Sequence, residues 1–129
     1  MPRILIAEDR VKMRNTLRSL FLLYSKWDIC GEAEDGEQAI DAAVALRPDV
    51  VLLDYKMPKR DGIDAASEIK KRLPNTPVVL FTLYKNSELE SQARKAGVRA
   101  VVGKEEGVIK LLSTIQDQLT PSLSPPEPI

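Results

Sequence analysis

Histidine is missing altogether from this 129-residue chain. Its absence removes Ser-His-Asp triads, histidine general bases and most zinc sites. Any chemistry must therefore run on carboxylates, lysine, hydroxyls or a metal bound by oxygen. Cysteine is almost missing too: Cys30 stands alone, which excludes an internal disulfide and suits a reducing compartment. Net charge is zero, 19 basic residues against 19 acidic, so no bulk electrostatic footprint points to nucleic acid or to a membrane. No apolar run approaches the ~20 residues of a membrane span. Arg3-Ile4-Leu5-Ile6-Ala7 is too short for a signal-peptide core and runs into acids. A cytoplasmic protein is the expectation.

What is present is a regular alternation of short apolar runs and helical patterns. The central run is Val50-Val51-Leu52-Leu53, four apolar residues that read as a strand buried on both faces and stopping at Asp54. Pro58 keeps Met57 out of helical conformation, and Asp61-Gly62 follows as a helix-start signal with Asp61 as N-cap. Arg3–Ala7 and Pro77–Thr82 are further strands, Ala100–Val102 a short fifth, and Trp27–Ala33 a weaker one that reads as an edge. Met13, Leu17, Leu20, Phe21 and Tyr24 mark a first helix of about four turns. Ile40, Ala43 and Val44 mark a second, ending at Arg47 before Pro48. Gly62, Ala66, Ile69 and Leu73 mark a third, Leu89, Ala93 and Ala96 a fourth closed by Gly97, and Val108, Leu111, Leu112, Ile115 and Leu119 a fifth. From Thr120 the proline-rich tail has no periodicity, and disorder is expected over 120–129. The reading is an α/β domain over 1–119. Its five-stranded parallel sheet, in order 2-1-3-4-5, is flavodoxin-like and doubly wound, with helices on both faces.

Four of these strands run into residues with chemistry. Glu8 and Asp9 follow the first, Asp54 the third, Thr82 ends the fourth, and Lys104 lies one glycine beyond the fifth. Parallel strands point one way, so these ends share one rim, where such folds bind ligands. Crowded carboxylates repel and raise one another's pKa unless a cation enters, and oxygen ligands in an acidic cleft suit Mg2+. A carboxylate beside a metal can itself be the nucleophile, giving an aspartyl-phosphate at Asp54. Lys104 and Thr82 are placed to hold phosphoryl oxygens.

Taken together, Glu8-Asp9, Asp54, Met57-Pro58, Asp61-Gly62, Thr82 and Lys104, spread in this order over residues 1–119, resemble the receiver domain of two-component response regulators. The resemblance implies that Asp54 accepts a phosphoryl group from the phosphohistidine of a sensor kinase or phosphotransfer protein. It implies a Mg2+ site from Asp9, Asp54 and the backbone carbonyl of Lys56, with Glu8 acting through water, and Thr82 and Lys104 as the phosphate-sensing pair. It implies a regulatory phosphoacceptor and no separate enzyme. Output would be a changed surface over helix four, strand five and helix five (85–119), met by a downstream protein or a second copy. The tail is too short to fold alone, so a stand-alone or an excised receiver is expected.

The sequence departs from the family at three places. Val101 stands where an aromatic switch residue is usual. Leu83 replaces a small residue after the threonine. Glu105 replaces the proline after the lysine, so that peptide is expected to be trans or strained. Tyr84 is bulky enough to shield the acceptor from water, which favours a phosphoryl lifetime longer than that of a fast chemotaxis-type receiver. A receiver that has lost phosphorylation and serves as an interaction module is the alternative these departures allow. A flavin carrier is disfavoured because Glu8-Asp9-Arg10 would repel the flavin phosphate. An aspartate-nucleophile phosphatase is disfavoured because Lys56 occupies the position of its second acid.

Overall fold

The computed structural model describes residues 1–119; the expectation for the proline-rich stretch 120–129 lies outside the described residues. Strands β1 (Arg3–Ala7), β2 (Asp28–Ala33), β3 (Val50–Leu53), β4 (Val78–Thr82) and β5 (Ala100–Gly103) alternate with helices α1 (Val11–Tyr24), α2 (Gly36–Leu46), α3 (Gly62–Arg72), α4 (Ser87–Lys95) and α5 (Val108–Leu119). The sheet is parallel throughout, as the alternation predicts, and has the expected order β2-β1-β3-β4-β5.

Period-two geometry divides the core in two. Successive side chains of a strand point to opposite faces. Leu5, Ala7, Val51, Leu53, Val78 and Leu80 pack on one side with Ala39, Ile40, Ala65, Ala66, Ile69, Leu89 and Ala93 of α2, α3 and α4. Ile4, Ile6, Val50, Leu52, Val79 and Phe81 pack on the other with Leu17 and Phe21 of α1 and Leu111 and Ile115 of α5. Trp27, just before β2, joins this second layer edge-on to Phe21, ring centroids 5.7 Å apart. The central strands are apolar on both faces because both are covered. Edge strand β2 is only half-buried, and its pairing with β1 skips Cys30 between Ile29 and Gly31.

Helix ends fall where local chemistry sets them. Asp35, Asp61 and Asn86 each accept the N–H three residues on, all at 2.8 Å, as N-caps of α2, α3 and α4. Helix α2 stops one residue earlier than its pattern suggests: Arg47 is the C-cap, in the left-handed region at φ 48°, so that the chain can turn into Pro48. At the end of α4, Gly97 has φ 95°. Its N–H reaches Arg94 O (3.1 Å) and Val98 N–H reaches Ala93 O (2.9 Å), the paired bonds of a Schellman ending.

Candidate functional site

All five helices start from the rim formed by the carboxyl ends of the strands. The β1–β3 ladder continues one step past its last pair, Asp54 N–H donating to Ala7 O at 3.0 Å, which fixes Asp54 beside the end of β1. Glu8 N–H donates to Ala33 O at 3.0 Å, so the first acid is pinned between β1 and β2. Carboxylate oxygens of Glu8, Asp9 and Asp54 lie within 4.8 Å of one another. Glu8 and Asp54 are buried, and Asp9 is the most open of the three.

Lys104 completes the cluster from 50 and 96 positions away. Its Nζ donates to Glu8 Oε1 at 2.8 Å and to Asp54 Oδ2 at 3.0 Å, with only 5% of its side chain exposed. The ammonium also lies 5.8 Å from the centre of the Phe81 ring. Asp54 Oδ1 accepts the Tyr55 N–H at 2.7 Å, which leaves Oδ2 as the oxygen turned toward the cations. Asp9, Arg10, Asp54, Lys56, Leu83 and Tyr84 line a cleft of about 250 Å3 above it. Thr82 stands at the same rim but is fully buried, and its hydroxyl accepts the Tyr84 N–H at 3.1 Å.

The charges are unevenly satisfied. Burial works against a charged Glu8, but hydrogen bonds from Lys104 and from the Arg10 N–H win and hold its carboxyl below the usual range. Burial raises Asp54, with the Glu8 charge in support, and Lys104 offsets this only in part. Asp9 is raised by burial and then by Glu8 beside it. Three acids share one buried ammonium. That surplus of negative charge, made entirely of hard oxygen donors, fits a small divalent cation such as Mg2+.

Two groups here escape a reading of strand ends. Arg14 on α1 is buried and donates to the Glu8 carbonyl at 2.8 Å, bracing the turn that carries the acids. Glu106, in the 3-10 turn Lys104–Glu106, accepts the Gly103 N–H at 2.6 Å and Lys85 Nζ at 2.8 Å through one oxygen. The loop after β4 is thereby tied to the loop after β5. The Lys104–Glu105 peptide is trans.

The Lys85–Glu106 tie carries a pH signature. The Lys85 hydrogen bond, then the Gly103 N–H, lower Glu106 below 4.5, so its contribution is present above that value and lost as pH falls through the lower folded value. The Glu106 hydrogen bond raises Lys85 above 10.5, so its contribution holds below that value and is lost as pH rises through the higher one. Wild type is expected to melt above Glu106→Gln between about pH 5 and about pH 9, the gap closing in acid. A gap unchanged down to about pH 3 contradicts the assignment.

Residues 4–116 match the response regulator receiver domain family. The chain belongs to that family. Among curated relatives of this receiver, the transcriptional regulatory protein PdtaR of Mycobacterium tuberculosis is 42% identical over 115 residues, 88% of this chain and 55% of PdtaR. The chemotaxis protein CheY of Halobacterium salinarum is 34% identical over 118 residues, 92% of this chain and 97% of CheY. Apart from such short relatives, the receiver spans about half the length of the regulators it resembles. Among solved structures, a LuxR-family DNA-binding response regulator from Staphylococcus aureus superposes with a TM-score of 0.87 at 28% identity, covering 93% of this chain and 100% of that one. The response regulator domain of Thermotoga maritima CheB gives 0.85 at 26% identity, covering 97% and 99%. No helix among the described residues is long and apolar enough to cross a membrane.

Proposed function

We propose that this receiver is a phosphorylation switch whose acceptor is Asp54, charged by the phosphohistidine of a sensor kinase or phosphotransfer protein. One observation carries the reading: a buried lysine bridges Glu8 and Asp54 at the rim, and a single Asp54 oxygen is left facing an open cleft lined by Asp9, Arg10 and Lys56. Asp54 Oδ2 is the nucleophile. It forms an O–P bond as the donor's P–N bond breaks, and the imidazole leaves with the electron pair.

The receiver's own groups prepare that step. The Tyr55 N–H holds the other carboxylate oxygen, which fixes the direction of attack. Lys104 is poised to stay with the new phosphoryl charge once Asp54 Oδ2 is esterified, and its hold on Glu8 must then change. Mg2+ would be held by Asp9, Asp54 and the Lys56 carbonyl, with Glu8 through water. When bound, it neutralises charge on the transferring group. The Thr82 hydroxyl accepts the Tyr84 N–H and keeps its own O–H to donate to a phosphoryl oxygen, which links the loop after β4 to the modification.

Tyr84 supports a shielded adduct. Its ring forms the cleft wall, edge-on to Tyr55 at 6.3 Å between centroids, with Lys56 Nζ 5.4 Å from its own centroid. Added phosphate charge would alter the α4–β5–α5 face, which meets a downstream protein or a second copy.

Incubation with acetyl phosphate and Mg2+ followed by intact-mass spectrometry tests the reading. A gain of one phosphoryl mass is expected, absent in Asp54→Asn. No gain in wild type sinks the switch and leaves a phosphorylation-independent interaction module. Decay of the same adduct reads the shielding, since a half-life of mere seconds contradicts it.

A further inference from the structure

Arg10 occupies a place where the local rules of helix formation ask for something else. It is the N-cap of α1, and its side chain makes no cap hydrogen bond. Ser, Thr, Asp or Asn is preferred there, because such a side chain accepts one of the unpaired N–H groups of the first turn. The guanidinium turns instead toward the acids. Nη2 lies 3.8 Å from Asp54 Oδ2 and Nε 3.7 Å from Glu8 Oε2, with 53% of the side chain exposed. These are loose contacts in solvent, worth little to stability. A residue that breaks a local rule with no gain in packing is expected at a functional site.

We propose that Arg10 is a second cation for the phosphoryl group: a mobile guanidinium that guards the acids in the resting state and clamps the phosphoryl oxygens after transfer. The inference rests on Asp54 being the acceptor and adds which side chain receives the group. Both cations of the site converge on Oδ2, the oxygen left free by the Tyr55 N–H. A phosphoryl group bonded there brings up to about two negative charges and three acceptor oxygens within reach of Arg10. The planar fork of a guanidinium pairs with two such oxygens at once, whereas the Lys104 ammonium acts as a point charge. Lys56, the other basic residue of the cleft, has its ammonium over the Tyr84 ring. Because Arg10 is exposed, little desolvation opposes its swing from carboxylate to phosphoryl.

The same position gives Arg10 an opposite effect on the bare metal. A positive charge beside Glu8 and Asp54 opposes a divalent cation that depends on those acids. Removing it is therefore expected to tighten metal binding while weakening phosphoryl binding. A residue that merely shaped the loop would shift both in one direction.

The test compares wild type, Arg10→Gln and Arg10→Lys. Mn2+ binding is followed by electron paramagnetic resonance in the absence of phosphoryl analogue, and beryllofluoride binding by fluorine NMR at saturating Mg2+. Arg10→Gln is expected to bind Mn2+ about threefold tighter and beryllofluoride roughly tenfold weaker, the scale of a lost charge-assisted hydrogen bond. Arg10→Lys keeps the charge and loses the fork, so its Mn2+ affinity should match wild type and its beryllofluoride affinity should fall in between. Beryllofluoride affinity within about twofold of wild type in Arg10→Gln overturns the clamp and leaves the acceptor reading intact. Wild type that binds no beryllofluoride overturns the acceptor reading, and the clamp with it.

Discussion

Lys104→Met is expected to cost the fold on the order of 3 kcal/mol in metal-free buffer, and Mg2+ is expected to return part of it. The lysine is the partner of two buried carboxylates at 2.8 and 3.0 Å, and its own side chain is 5% exposed. Removing one member of a buried ion pair leaves an uncompensated charge, which typically costs 3–5 kcal/mol. Here Glu8 and Asp54 would be left facing each other, with the loose contacts of the exposed Arg10 in place of the buried ammonium. A divalent cation that binds the folded chain and not the unfolded one would stabilise it by mass action. Its effect should be larger in the variant, whose acids lack their internal cation. Urea denaturation with and without millimolar MgCl2 reads both effects. A metal-free loss below about 1 kcal/mol would show that the ammonium is not what makes this crowding of acids tolerable.

Gly62→Ala is expected to be as damaging for a steric reason. An added Cβ would stand 2.2 Å from the Asp54 carbonyl oxygen and 2.9 Å from both Tyr55 Cα and Leu80 Cδ1. Two of these three atoms are backbone, so no rotamer change relieves the clash. The start of α3 lies against the end of β3, with Gly62 N–H donating to Tyr55 O at 2.6 Å. Relief requires α3 to back away from β3 or the Asp54–Tyr55 segment to shift. Overpacking of this kind costs about 1–3 kcal/mol, and the upper end is expected here. A lower melting temperature, by roughly 10 °C, should accompany slower phosphorylation by acetyl phosphate, because the displaced atoms include the acceptor's own backbone. Wild-type phosphorylation kinetics in a destabilised variant would show that the strain is absorbed in α3 alone.

Much of this was legible because parallel strands confer a direction. Once Val50–Leu53 reads as a strand ending in Asp54, and Arg3–Ala7 as one ending before Glu8-Asp9, the two ends must meet if the strands are neighbours. The edge character of β2 was likewise visible in its half-polar composition. The proximity of Arg10, the brace of Arg14 under Glu8 and the Lys85–Glu106 tie were not legible. Each depends on where a long side chain ends after three or four rotatable bonds, and no periodicity records that. Thr82 was legible in place and not in state: its position at the rim follows from the strand, but the hydrogen bond it accepts from Tyr84 depends on the path of the loop. The end of α2 came one residue early because Arg47 adopts a positive φ, which the residue type does not announce.

The two-layer core bears on how a signal could leave the rim. Helix α4 belongs to the layer shared with α2 and α3, and α5 to the layer shared with α1. Both contact β5, the last strand in the order, whose Val101 packs with the first layer and Val102 with the second. At this border a single strand therefore backs onto both helix layers. Because the same strands supply alternate side chains to both layers, the layers cannot slide as units, but a small shift of α4 or α5 against β5 would alter the outer surface. A partner that straddles β5 would sense the displacement of one helix relative to the other, a quantity that neither helix reports by itself.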